Sequence, residues 1–194
     1  MLALNKILGR LSTIPALIIT FMLFISFISV VLPRQKAALE IYTHEAGSPG
    51  LSFFPKPDTV YRMAEAYGPQ GRSAYINALL VYDFAWPLVY SFFYLVFIHL
   101  TLGYAHSQKA ARLSSVALLP GLLDWAENIL SIVILSAYPE RMDAAAWVMA
   151  VATCLKWITM GAASCLFVYG LAAAPLRCIC GKQNTAKNLP FCIK

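Results

Sequence analysis

The chain has 194 residues, 60% of them apolar and only 12% charged, with a mean hydropathy of +0.67 and a formal net charge of +6. An average soluble domain is roughly 45–50% apolar and about 25% charged, so these values exclude a disordered chain, a coiled coil and an ordinary water-soluble enzyme. A bilayer span takes about 20 mostly apolar residues, which leaves room for a handful of spans and one modest loop, hence a single membrane domain over residues 1–194.

Four stretches reach the length of a transmembrane helix: Leu11 to Leu32, Ile76 to Leu102, Ser114 to Ala137 and Ala144 to Ala172. Several exceed what about 30 Å of hydrocarbon absorbs at about 1.5 Å per residue, so tilt or projection beyond the lipid is expected. Lys6 and Arg10 precede the first stretch, as in a signal peptide. Its apolar run is too long for one, however, and Pro33, Arg34 and Gln35 follow in place of a small-residue cleavage site, so it reads as a retained anchor.

Residues 33–75 form a long first loop, from Pro33 to Tyr75, and a loop of that length is expected to hold structure of its own. Pro57 to Gly68 supplies it: Asp58 is placed to cap a short helix, Val60, Met63, Ala64 and Tyr67 recur at helical spacing, and Gly68-Pro69 ends it. Turns are expected at Gly47-Ser48-Pro49-Gly50 and Pro55-Lys56-Pro57. The expected fold is all-α: four transmembrane helices in an antiparallel bundle, with a short extracytoplasmic helix in the first loop and a tail over residues 173–194.

Lys and Arg accumulate on cytoplasmic flanks. With both termini inside, that face holds Lys6, Arg10, Lys109, Arg112, Arg177, Lys182, Lys187 and Lys194 and no acid. The other face balances Arg34, Lys36, Lys56, Arg62, Arg72 and Arg141 against Glu40, Glu45, Asp58, Glu65, Glu140 and Asp143. An inner or plasma membrane with cytoplasmic termini is the expected setting. The positive charge then serves topology and attraction to anionic lipid headgroups, not nucleic-acid binding.

Ionisable groups at membrane depth cost about 2.5–3.5 kcal/mol each on insertion scales, and so point to function. Asp83 lies on the second span, Asp124, Glu127 and Asn128 on the third, and Lys156 on the fourth. The spacing of Asp124, Glu127 and Asn128 puts them on one helical face, with Ser131 a turn further along. At 1.5 Å per residue all five fall between about 10 and 20 Å from the outer ends of their helices, so one buried cluster is predicted. Three acids against one amine is an excess that a low-dielectric site resists, and at least one carboxyl, Asp83 or Asp124, is expected to carry a proton, with Lys156 paired to an acid, Glu127 matching it best in depth.

Asp83, Pro87, Tyr90 and Tyr94 form a second polar stripe. Pro87 has no N–H for the carbonyl of Asp83, so that acceptor is expected to stand open beside a kink, with Pro120 doing the same to Val116. Tyr75, Tyr82 and Trp86 are alternatively interfacial belt residues. Arg72, a turn beyond the second span, reads as a solvated residue or as an outer-mouth contact reaching toward Asp83 or a headgroup.

The run Tyr67-Gly68-Pro69-Gln70-Gly71-Arg72-Ser73-Ala74-Tyr75, then Asp83 with Pro87 and Tyr90, Leu123-Asp124-Trp125-Ala126-Glu127-Asn128 and Leu155-Lys156-Trp157 resembles a group of uncharacterised, mainly bacterial four-helix membrane proteins. The resemblance covers roughly residues 60 to 160. It implies the four-helix fold and the polar set, and no reaction.

Histidines at 44, 99 and 106 are too scattered for a metal or haem site, and His99 and His106 stand about 10 Å apart along a helix. Cys154 and Cys165 lie in the fourth span and Cys178, Cys180 and Cys192 in the tail, without zinc spacing. No cofactor and no metal are expected. Three functions remain open: binding of a proton, a cation or a small polar or amphipathic ligand at Asp83, Tyr90, Asp124, Glu127, Asn128 and Lys156, with transport as one version of it, for which a homo-oligomer is expected; a membrane enzyme acting on a lipid or isoprenoid; or an assembly protein whose polar network is purely structural.

Overall fold

A computed structural model describes residues 10–43, 46–102 and 113–181, with side chains to residue 173. The described residues are helical or in turns, without strands. Among them, four helices are long and apolar enough to cross a membrane: Ile14–Thr43, Pro57–Leu102, Leu113–Ala137 and Asp143–Ala173.

The first begins at Thr13, whose hydroxyl accepts from the amide of Ala16, with Pro15 in the first turn where its missing N–H costs nothing. Helix α1 (Ile14–Ser26) has no buried residue, and Ile18, Ile19 and Met22 are each more than half exposed. Such a surface is costly against water and costless against hydrocarbon. Its inner side is an aromatic ladder: Phe24 stacks on Phe93 at 4.6 Å and on Trp86 at 5.5 Å, and Phe27 stacks on Trp86 at 5.8 Å.

The chain does not leave the helix at Pro33. A π-turn over Phe27–Val31 shifts the hydrogen bonding by one residue, so that the amide of Leu32 bonds the carbonyl of Phe27, and α2 (Leu32–Thr43) continues beyond it. The π-turn absorbs the clash and the lost donor that a proline would impose on a regular helix.

The expected loop over residues 33–75 is therefore a correction. Between α2 and Pro57 the described chain, residues 46–56, lies outside α-helix and holds a 3₁₀ turn at Pro49–Leu51. Helix α3 (Pro57–Ala78) carries Val60, Ala64 and Tyr67 on its buried face, as the periodicity predicts. Asp58 does not cap it; Lys56 occupies that position, and Asp58 instead pairs with Arg141 at 2.7 Å. Asp58 and Asp143 together hold the guanidinium's affinity for its proton above the ordinary value.

Gly68-Pro69 ends the first helical stretch as expected, and a second follows directly across a kink. Gly68 takes φ 62° and ψ 179°, a conformation that glycine tolerates, and Pro69 restarts the helix at a position needing no N–H. Arg72 then donates to the carbonyl of Ala64 at 2.9 Å, and its guanidinium lies 4.3 Å from the Tyr138 ring centre.

A second π-turn, Leu79–Asp83, and a break at residues 84–85 lead into α4 (Trp86–Leu102). Both π-turns contain the carbonyl, at Ser29 and at Asp83, that a proline four residues later leaves without a helical donor. Pro120 behaves otherwise. A 3₁₀ turn at Val116–Leu118 lets the amide of Leu119 take the Val116 carbonyl, which is not left open as expected, and α5 (Leu119–Ala137) follows. Helix α6 (Asp143–Gly181) runs past residue 173, so the expected tail begins as helix.

The most extensive packing joins α5 to α6, with α4 against both. Apolar groups form at Leu95, Val96, Phe97, Ile98 and Ala117, and at Val60, Tyr61, Ile134, Ala146 and Met149. Along α4, α5 and α6 the polar side chains fall between them.

Candidate functional site

Helix α5 supplies the centre. Asp124, Glu127 and Asn128 lie on one face, as their spacing dictates, and are 9%, 3% and 3% exposed. Gly121, one turn earlier, lets α4 approach, because a Cβ there would press on Ser91 and on the Pro87 carbonyl at 3.2 Å. That approach brings Tyr90 to Asp124, and its hydroxyl donates to Oδ2 at 3.1 Å.

Helix α6 delivers Lys156 to the same point. Its Nζ donates to Asp124 Oδ1 at 3.2 Å and lies 2.7 Å from Glu127 Oε2. The Glu127 contact has the length of a charge-assisted hydrogen bond. The amine thus joins two carboxylates, where the sequence favours Glu127 alone. Thr153, a turn before Lys156 and fully buried, completes this side and faces the Glu127 carboxyl.

Asp83 anchors an adjoining group. Its carbonyl, deprived of a helical donor by Pro87, accepts from Asn128 Nδ2 at 2.9 Å, and the next carbonyl, Phe84, accepts from Trp125 Nε1 at 3.0 Å. The open acceptor expected beside Pro87 thus exists, and a side-chain amide of α5 fills it. The Asp83 carboxylate accepts at 3.2 Å from Gln35 Nε2, on the helical extension of the first span. It lies within electrostatic range of Asp124, Glu127 and Lys156.

The chain between α2 and α3 closes over the centre. Gly50 O accepts from Lys156 Nζ at 3.3 Å, and the Gly50 backbone lies so near Glu127 that a Cβ there would collide with Oε1 and stand 3.7 Å from Nζ. Ser48 Oγ and Tyr75 Oη share a hydrogen bond of 2.5 Å, and Tyr67 Oη donates to the Gly47 carbonyl at 2.5 Å. Tyr75 is therefore buried in the protein, at 5% exposure.

Four predicted residues, Tyr90, Asp124, Glu127 and Lys156, thus meet directly, while Asp83 and Asn128 form the neighbouring pair. Tyr94 leaves the stripe for Ser164, at 3.2 Å. Arg72 reaches the Ala64 carbonyl and Tyr138, and makes no ion pair with Asp83 among the described residues. His99 faces Ser114 at 3.4 Å, while His44 and His106 lie outside the described residues. Cys154 and Cys165 are free thiols; the side chains of Cys178, Cys180 and Cys192 lie outside the described residues.

Gln35 and Gly50 escaped the sequence reading. Gln35 reads as the polar end of a span, and a glycine acting through its carbonyl and its missing side chain leaves no signature beyond a turn motif. In comparisons with protein-family models, with curated proteins and with solved structures, the chain matches none.

Proposed function

We propose that this chain is an integral membrane protein that binds a proton, or a small cation or amine competing for the same carboxylates, at the cluster of Asp83, Asp124, Glu127 and Lys156. Both termini face the cytoplasm in this reading, the helices of the bundle run antiparallel, and residues 46–56 face the opposite side. The observation that carries the proposal is the pairing of two buried acids, Asp124 and Glu127, with one buried amine, and a third, partly buried acid, Asp83, within electrostatic range of them. Fully ionised, the set would hold two uncompensated negative charges, and burial makes such an excess costly. A bound proton or cation supplies the missing charge.

The roles follow from the contacts. Glu127 and Asp83 take the proton or cation, because Glu127 shares its amine with Asp124 and Asp83 is neutralised by no direct ion pair among the described residues. Lys156 sets the affinity by competing for Asp124 and Glu127. Asn128 and Tyr90 orient the set through Asp83 and Asp124. Transport is one version of this reading, with a homo-oligomer providing the second access route that a four-helix bundle lacks.

A structural network is the second reading, and one observation favours it. The three N–H groups of the ammonium have three oxygens within reach, on Asp124, Glu127 and Gly50. Thermal stability of the wild type and of Glu127→Gln, followed between about pH 5 and 9, separates the two. A reversible site gives different profiles. Coincident profiles refute the binding site and leave the network as structural.

A further inference from the structure

We propose that residues 46–56 are a gate over this site, seated by Gly50 and latched by Tyr67 and Tyr75, so that a proton carrier, cation or amine reaches Glu127 and Lys156 only when the segment lifts. The inference rests on the binding reading above for its purpose, and on separate contacts for its mechanism. Gly50 lies on the cluster without an intervening side chain: its carbonyl takes a hydrogen bond from Lys156 and its α-carbon faces Glu127. A residue with a Cβ could not sit there without displacing that carboxylate.

Two tyrosines on α3 hold the segment down. Tyr67 and Tyr75 are 3% and 5% exposed, their rings lie 5.3 Å apart, and their hydroxyls reach the Gly47 carbonyl and the Ser48 hydroxyl. Both hydroxyls belong to a helix that stays packed if the segment moves, since Val60 and Tyr61 bury their side chains against Ile134, Ala146 and Met149. The far side of the segment is apolar and outward: Leu51 is 72% and Phe53 60% exposed, and Phe54 stands 6.0 Å from Trp147. Between its ends, which bond Thr43 and the first turn of α3, the segment's hydrogen bonds to the bundle concentrate at residues 47, 48 and 50, beside the buried Pro49 and Pro55. That distribution suits a piece that moves as a unit.

A cysteine under the gate tests this. Thr153→Cys is close in size to the native residue and is placed in a full-length chain whose five native cysteines are serine. Modification by a trimethylammonium methanethiosulfonate is followed by mass in detergent, with Leu51→Cys as the exposed control. Expected is slow labelling at position 153 with the latch intact, and a rise of at least about tenfold when Tyr67→Phe and Tyr75→Phe are combined. Tyr75→Phe alone, the milder change, gives a smaller rise and serves if the double variant melts early. Equal rates with and without the latch, or labelling of the latched chain as fast as the control, overturn the gate. The pH profiles of Glu127→Gln do not depend on the latch, so either proposal can fail while the other stands.

Discussion

Replacing Lys156 by methionine removes the ammonium while keeping a side chain of similar length. In the structure that ammonium lies 2.7 Å from Glu127 and 3.2 Å from Asp124. With an effective dielectric of about 20, the two attractions are about 6 and about 5 kcal/mol before desolvation is counted. Desolvation of the three groups offsets most of this, yet removing one member of a buried ion pair typically costs about 3–5 kcal/mol, because its partner is left charged and uncompensated. For a chain of this size that corresponds to a fall in Tm of roughly 10 °C. Thermal unfolding in mild detergent near pH 7.5, followed by tryptophan fluorescence, measures it. Adding Glu127→Gln to Lys156→Met removes one stranded charge, so the double variant recovers about half of the loss or more. Acid supplies protons in place of the ammonium, so the deficit of Lys156→Met shrinks as pH falls and grows as it rises. A Lys156→Met protein that melts within about 2 °C of the wild type, or a double variant no better than the single, refutes the electrostatic account.

Two further outcomes test how the site is held. Asn128→Ala leaves the Asp83 carbonyl without its donor and costs about 1–2 kcal/mol; in a Pro87→Ala background the restored amide substitutes for it, so the cost falls by about 1 kcal/mol in a double-mutant cycle read from unfolding midpoints. Phe24→Ala loses the stacks on Phe93 and Trp86, each worth about 0.5–1.5 kcal/mol, and lowers Tm by a few degrees without altering the pH profile; an altered profile would show that the first span governs the cluster through more than Gln35.

Hydropathy and spacing reveal much of this molecule, and the reason is local. Apolar runs at 1.5 Å per residue mark the four long helices, and the 3.6-residue period places Asp124, Glu127 and Asn128 on one face and Val60, Ala64 and Tyr67 on another. The same local chemistry identifies the carbonyl that Pro87 leaves without a donor. Where local signals went astray, they did so at prolines. Pro33 reads as a helix end, but a π-turn before it carries the helix onward, and at Gly68-Pro69 the expected end is followed at once by a second helix across a kink. Whether a proline stops a helix depends on whether packing repays the distortion, and the residues that repay it lie far away in the chain.

What only the tertiary structure decided is which groups meet. Three carboxyls on two helices advertise a buried site by their cost in lipid, whatever their partners. The pairing of Lys156 with both Asp124 and Glu127, the arrival of Gln35 from the first span, and the backbone of Gly50 over the pair depend on helix rotation and on the path of a short loop. Composition records the expense of burying a charge; only the fold determines what compensates it, because compensation falls off over a few ångströms and those distances join residues as many as 106 positions apart.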